Sequence, residues 1–297
     1  MSNSWWEIKI ICDPDLEDIF FWRLDKFGCR GTSYEHQGQS LLVKGYLPQI
    51  EAEFLDMAAL GLWLRQDAIL MGNAEPTTHW HLIDEEDWAS SWKDYWQPTE
   101  VGDRFLIYPA WLEPPRETEK LILRLDPGAA FGTGVHPTTQ LCLESLEMRI
   151  SGEPNNMVIA DIGCGSGILG IGAILLGAHQ VYGVDLDPLA VHAARSNRHL
   201  NEITPQQMAV KKGSVEALRE LSPEGFDGFL CNILANVIID LMPQITDLSK
   251  PNSWAVLSGV LVDQSQDVAQ SAEKHGWSLS TLWKRKEWAC LNLRRIE

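Results

Sequence analysis

An aspartate and three alternating glycines, Asp161-Ile162-Gly163-Cys164-Gly165-Ser166-Gly167, follow the apolar run Val158-Ile159-Ala160 and precede Ile168-Leu169. The pattern reads as a strand that turns through glycines into a helix. Glycines there let the backbone bend sharply and approach a bound nucleoside closely. About one βα unit downstream a second apolar strand ends in Val184-Asp185-Leu186-Asp187-Pro188. A carboxylate at that strand end can accept hydrogen bonds from both hydroxyls of a ribose. Two cofactor classes compete for these residues. Gly165-Ser166-Gly167-Ile168-Leu169-Gly170 satisfies the dinucleotide pattern G-x-G-x-x-G, but it starts two residues late. In the register directly after the strand, Ile168 occupies the third glycine position. Asp161, just ahead of the glycines, favours S-adenosylmethionine over a nicotinamide. The candidate cofactor contacts here are Asp161, Gly163, Gly165 and Asp185.

Two further segments carry polar groups suited to the rest of such a site. Upstream, Asp126-Pro127-Gly128-Ala129-Ala130-Phe131-Gly132-Thr133-Gly134-Val135-His136-Pro137-Thr138-Thr139 is a glycine-rich loop entering a helix. Pro137 suits the first helical turn, where Thr138 and Thr139 offer hydroxyls and free N–H groups. They serve there either as helix caps or as a grip on the amino-acid end of the cofactor. His136 reads as a capped loop residue rather than a base. Downstream, Phe226-Asp227-Gly228-Phe229-Leu230-Cys231-Asn232-Ile233-Leu234-Ala235 ends a third strand. Ligands of doubly wound sheets bind beyond the carboxyl ends of strands. Asn232 falls there, and its amide oxygen can accept a hydrogen bond from an amine. An asparagine at a strand-to-helix turn is also common without any ligand. The Asn-x-x-aromatic pattern of base amino-group methylation is altered, because Ala235 stands at the aromatic position.

These segments need a scaffold. From about Val101, strands and helices alternate: strand 157–162, helix 167–176, strand 180–184, helix 188–201, strand 225–231, helix 237–248, strand 254–258, helix 263–275, then strands 279–284 and 288–294. Repeated βα units predict a parallel sheet covered on both faces, closed by an antiparallel hairpin at one end. The first 85 residues read β-α-β-β-α-β, the order of the ferredoxin-like fold. That reading places strands at 5–12, 29–35, 40–46 and 78–83, a helix at 13–27 and a second opening at Pro48 and running to about Leu64. Between the two parts, Trp88, Trp92 and Trp96 share one helical face in a segment that Pro98 ends. They predict a linker helix burying its stripe between domains, or an aromatic surface facing a substrate.

The chain has 297 residues, 45% hydrophobic, and a net charge of −17. Its sequence pI is about 4.8 and its mean hydropathy −0.14. That composition excludes disorder and a small disulfide scaffold. The negative charge disfavours phosphate backbones, so no direct nucleic-acid partner is expected, and a basic partner is attracted. Cys12, Cys29, Cys142, Cys164, Cys231 and Cys290 show no metal-ligand spacing and read as reduced, mostly packed thiols. Met1-Ser2-Asn3-Ser4-Trp5-Trp6-Glu7 lacks the features of a signal peptide, and a cytoplasmic protein is expected. Ile162 to Val184 carries no charge over a bilayer-length span, but its seven glycines fit a nucleotide-binding segment better than a membrane helix.

Taken together, the three segments resemble the PrmA family, methyltransferases that modify large-subunit ribosomal protein eleven. The resemblance covers most of the chain from about Asp87. It includes Asp87-Trp88, Trp92-Lys93, Tyr108-Pro109-Ala110-Trp111, Asp126-Pro127-Gly128, Phe131-Gly132-Thr133-Gly134, His136-Pro137-Thr138-Thr139, the glycine motif, Asn232-Ile233-Leu234-Ala235, Leu257-Ser258-Gly259 and Glu287-Trp288. Gly170 and Gly172 replace alanines of the family, a departure that concerns helix packing.

The resemblance implies a class I S-adenosylmethionine-dependent methyltransferase with a Rossmann-like seven-stranded sheet. Its domains would be 1–85, ferredoxin-like and substrate-recognising, 86–100, a linker helix, and 101–297, the methyltransferase. It implies methylation of lysine ε-amines and an N-terminal α-amine to the trimethyl state. Cofactor contacts would be Thr139, Gly163, Asp185 and Asn232, with Asn232 also orienting the amine. No metal is required. The expected partner is a basic ribosomal protein, free rather than assembled, and the expected state a monomer with no membrane partner. Competing readings are a methyltransferase for another protein or a nucleobase amine, a nicotinamide oxidoreductase, and a non-catalytic cofactor-binding adaptor.

Overall fold

The computed structural model describes residues 4–29, 31–84, 97–115, 117–126, 134, 136–150 and 156–296. Trp88, Trp92 and Trp96, and the loop residues Pro127 to Thr133 and Val135, lie outside them. Contacts divide the chain into two compact units, Met1–Trp96 and Gln97–Glu297. Gln97 and Pro98 are not helical, and Thr99 and Glu100 already belong to a strand, so a linker helix does not extend to residue 100.

In the first unit the elements are β1 (Ser4–Cys12), α1 (Glu17–Phe27), β2 (Gly31–Gln37), β3 (Ser40–Pro48), α2 (Phe54–Leu70) and β4 (Thr77–Asp84). Their sheet order is β2-β3-β1-β4 with antiparallel neighbours, the ferredoxin-like arrangement. Alternation in β1 turns Ile8 and Ile10 inward, where they meet Leu16, Phe20 and Leu24 from the first helical segment and Met57, Leu60 and Leu64 from α2. Arg23 joins the two helices by a bidentate pair with Asp67, with Nε and Nη2 each 2.7 Å from a carboxylate oxygen. The second helix opens later than Pro48 suggests, because Pro48 still pairs with Trp5 in the sheet. Glu53 and Asp56 form a capping box at Phe54 instead. It also runs past Leu64, since the Trp80 ring covers Gly61 and the chain meets no breaker before Gly72 at φ +77°.

The second unit begins with a small sheet, β5 (Thr99–Val101), β6 (Phe105–Pro109) and β7 (Leu121–Leu125), in the order β5-β6-β7. The large sheet uses β8 (Val158–Ile162), β9 (Gln180–Asp185), β10 (Met208–Lys212), β11 (Phe226–Asn232), β12 (Ser249–Leu261), β13 (Trp277–Arg285) and β14 (Trp288–Arg295). Its helices are α3 (Pro137–Arg149), α4 (Ile168–Leu175), α5 (Pro188–Leu200), α6 (Val215–Leu221), α7 (Ala235–Asp247) and α8 (Ser265–Lys274).

Among the described residues the large sheet runs β10-β9-β8-β11-β12-β14-β13. Neighbours are parallel from β10 to β12, and β14 lies antiparallel between β12 and β13. This is the Rossmann-like seven-stranded sheet of class I methyltransferases, closed by the expected hairpin. The span Ile162 to Val184 resolves into the end of β8, the glycine turn, α4 and β9. Among the described residues no helix is long and apolar enough to cross a membrane. The sequence reading missed β5, β6, β7, β10 and α6. These elements are short, and β10 ends in Lys211-Lys212, so neither shows a sustained hydrophobic period.

Candidate active site

The glycine turn takes backbone conformations that side chains disfavour. Gly163, Gly165 and Gly167 have φ of +68°, +54° and +82°. The turn is tied to β9, with Gly163 N and Cys164 N donating to Val184 O at 2.9 and 3.0 Å. A Cβ on Gly163 would collide with Ile233 Cγ2, so the absence of a side chain lets the end of β11 lie against the turn.

Asp185, at the end of β9, accepts from Gly165 N at Oδ2 and from Asp187 N at Oδ1, both at 2.9 Å. Each carboxylate oxygen keeps a further lone pair for a ligand hydroxyl. Asp187 in turn caps α5, accepting from Leu189 N at 2.8 Å, with Pro188 in the first turn. The geometry therefore orients Asp185 before any ligand arrives.

Asp161 is placed differently. Its side chain is 1% exposed, and Oδ2 accepts from Gly170 N at 3.0 Å, which satisfies an otherwise free donor in the first turn of α4. Burial pushes its carboxyl up to about 7, against the opposing pull of the Gly170 hydrogen bond, and the nearby Asp185 adds to the rise. A Cβ on Gly170 would lie 2.7 Å from Met208 Cε and 3.1 Å from Asp161 Oδ2, so this glycine relieves crowding beside the carboxyl.

Thr139 is fully buried in the first turn of α3. The cap of that helix is His136, whose Nδ1 lies 2.7 Å from Thr138 Oγ1 and accepts from Thr138 N. Burial pushes the imidazole down, which favours the neutral ring that such acceptance requires. Its ring also meets Trp288 edge-on at 5.0 Å. Asn232 Nδ2, from the end of β11, donates to Thr139 Oγ1 at 3.3 Å. Asn232 Oδ1 is buried, and among the described residues it has no hydrogen-bond partner. A buried acceptor of that kind costs free energy unless something donates to it.

The structure thus brings Asn232 to Thr139, Gly165 to Asp185, and Gly163 to the Ile233 that follows Asn232. Asp161 faces α4 instead. Two residues to which sequence reasoning gave no positioning role help to set these positions. Gly259, at φ +78°, lies against Ile233, and a Cβ there would sit 2.8 Å from Ile233 N and 2.9 Å from its carbonyl carbon. Asn197 is buried on α5 in line with Ala190 and Ala194. The visible sign was a polar residue inside that apolar stripe. A cofactor with a ribose and a donor group fits what is present: an oriented strand-end carboxylate, a turn with glycine at three of five positions and a buried acceptor with no partner among the described residues. Among the described residues no group of three His, Cys, Asp or Glu side chains could hold a metal.

Residues 4–296 match the family described as "Ribosomal protein L11 methyltransferase (PrmA)". The chain belongs to the PrmA family. A "Ribosomal protein L11 methyltransferase" of Cyanothece sp. is 54% identical over 299 residues, covering 100% of both chains. A protein of the same name from Thermosynechococcus vestitus is 49% identical, over 99% of this chain and 98% of that one. The crystal structure of a ribosomal protein L11 methylase from Lactobacillus delbrueckii subsp. bulgaricus superimposes with a TM-score of 0.60 at 30% identity. That match covers 68% of this chain and 100% of the other.

Proposed function

We propose that this PrmA-family chain transfers methyl groups from S-adenosylmethionine to lysine ε-amines and the N-terminal α-amine of ribosomal protein L11, to the trimethyl state. The observation that carries the site assignment is the buried Oδ1 of Asn232 beside Thr139, which has no partner among the described residues. Membership of the family supports the substrate. Asp185 would hold the ribose hydroxyls of the cofactor, and Gly163 and Gly165 would admit its backbone-facing edge. Thr139 and Asn232 would hold amines. Asp161 would act through the turn, by fixing α4.

When bound, S-adenosylmethionine supplies an electrophilic methyl group on a sulfonium. The amine must attack with a free lone pair, while a lysine in water ionises near pKa ~10.4. Proton loss to solvent therefore precedes attack. Asn232 Oδ1 then accepts an N–H of the neutral amine and aims its lone pair outward. Thr139 Oγ1 holds the Asn232 amide in that pose. Each transfer yields an ammonium that loses a proton to solvent before the next. Asn232 can therefore accept an N–H for the first two transfers, and the third, onto a dimethylamine, proceeds without that bond. The chain thus contributes position more than covalent help.

The first unit would select the substrate as a ferredoxin-like domain, joined to the methyltransferase through residues 86–100. The enzyme would work as a cytoplasmic monomer on free L11, since its charge of −17 repels RNA and attracts a basic protein. Incubation with labelled S-adenosylmethionine and total ribosomal proteins, followed by mass spectrometry, tests this reading. Label on L11 amines is the expected result. Label on another protein, or none, overturns it. Faster labelling of intact subunits than of free L11 overturns the preference for the free protein.

A further inference from the structure

Asn197 reaches two glycine-rich segments at once. Its side chain is fully buried on α5. Nδ2 donates to Ser166 O, inside the Gly163–Gly167 turn, at 2.9 Å. Oδ1 accepts from Asp126 N at 2.8 Å. Asp126 follows β7 and opens the stretch that leads to Gly134, His136 and Thr139. Gly134 has φ +84°, and a Cβ there would collide with Ile107 and come within 3.0 Å of Ile168 Cδ1. Ile168 is the first residue of α4 after the glycines. Asp126 is therefore registered on the glycine turn through one asparagine amide, and Gly134 lies against the first residue of α4.

One helical turn on, Asn201 makes a different connection. Its Nδ2 donates to Arg124 O at 2.7 Å and its Oδ1 accepts from Arg124 N at 2.9 Å. Asn201 thus fastens α5 to β7 without touching the glycine turn. Asn197 in α5 and Asn201 just after it bind neighbouring residues at the end of β7, and of the two Asn197 also bonds the glycine turn.

We infer that Asn197 is a positioning residue that holds the glycine turn in register with the end of β7 at Asp126, and so sets cofactor affinity. The inference rests on the cofactor reading given above. The amide meets both demands, donating to the Ser166 carbonyl and accepting from Asp126 N at the same time. Asn197→Asp keeps an acceptor for Asp126 N and sets a carboxylate against the Ser166 carbonyl, so it isolates the arm that reaches the turn. Asn197→Ala removes both arms without adding charge.

The experiment measures S-adenosylhomocysteine binding by calorimetry, the KM for the protein substrate and the melting temperature, for wild type, N197A, N197D and N201A. In N197A and N197D the Kd for S-adenosylhomocysteine rises about tenfold, as expected for loss of the one buried hydrogen bond to the turn that both variants share. The KM for the protein substrate stays within about twofold. In N201A the melting temperature falls, while that Kd stays within about twofold of wild type. If N197D does not fold, N197A gives the same reading. Wild-type-like Kd in N197A, or an equal loss of affinity in N201A, overturns the positioning role and leaves the cofactor reading standing. Absence of binding by the wild type overturns the cofactor reading and this inference with it.

Discussion

A carboxyl can sit at a cofactor motif and still act chiefly on the fold. Asp161 is sealed inside with one hydrogen bond to the first turn of α4, and burial lifts it from 3.8 to about 7. A carboxyl raised on folding favours the native state while protonated, so this contribution is complete below about pH 4 and is lost as pH rises through about 7. Asp161→Asn keeps an acceptor for Gly170 N and cannot ionise. Melting curves from pH 5 to 8 should therefore flatten in the variant. Above pH 7 it should gain on wild type by on the order of 3–4 kcal/mol, at about 1.4 kcal/mol per pH unit. A wild-type slope retained in the variant would assign the pH dependence to other groups. Asn232 is the opposite case, since its buried Oδ1 has no donor among the described residues and is the group proposed above to meet the amine. Asn232→Ala should lower turnover about 10²-fold, as for other positioned polar groups in active sites. The Kd for the cofactor should stay within a few-fold in the same titration. The sequence carried both residues through their place at strand ends. It could not carry their orientation, because the turn of a side chain inward or outward depends on neighbours such as Gly170 and Thr139.

At the scale of elements, the exposed edge of the large sheet is managed by a helix. β10 is an edge strand in the order β10-β9-β8. Gln207 O faces Val181 of β9, so the carbonyls of Met208 and Val210 point away from the sheet. Two arginines of α5 occupy them: Arg198 Nη1 donates to Met208 O at 3.1 Å, and Arg195 Nε and Nη2 to Val210 O at 3.1 and 2.7 Å. Unpaired strand edges template association, and blocking them is a known defence. R195A/R198A should scatter light at a lower temperature on heating than wild type, with a loss of about 1–2 kcal/mol in stability. An unchanged onset would remove the edge-guarding role. The long, periodic elements were legible in the sequence, β8 and α5 to within a residue or two. β10 was not, because its stability comes from those arginines and from β9 rather than from its own pattern. β12 was seen only at its apolar centre, since Lys250-Pro251-Asn252 hides the start of a strand that runs from Ser249 to Leu261. The capping of α3 by His136 also escaped, because the nearby threonines looked the better caps.

At the scale of the whole molecule, charge sets the encounter. With −17 distributed over 297 residues, the protein attracts a basic substrate at long range, and salt screens that attraction. Raising ionic strength from 0.05 to 0.5 M should increase the KM for L11 several-fold. The KM for a short uncharged peptide bearing one lysine should remain flat in the same assay. Equal response of both substrates would place the salt effect in the active site. The order of the large sheet has a different consequence, in time rather than space. The strand that joins β12 to β13 is β14, the last of the sheet to be synthesised. A nascent chain arrested before Trp288 holds β13 with no partner and β12 with a bare flank. Completion of the domain therefore waits on β14, and until then the growing polypeptide presents an unpaired border of the kind that makes folding intermediates prone to association.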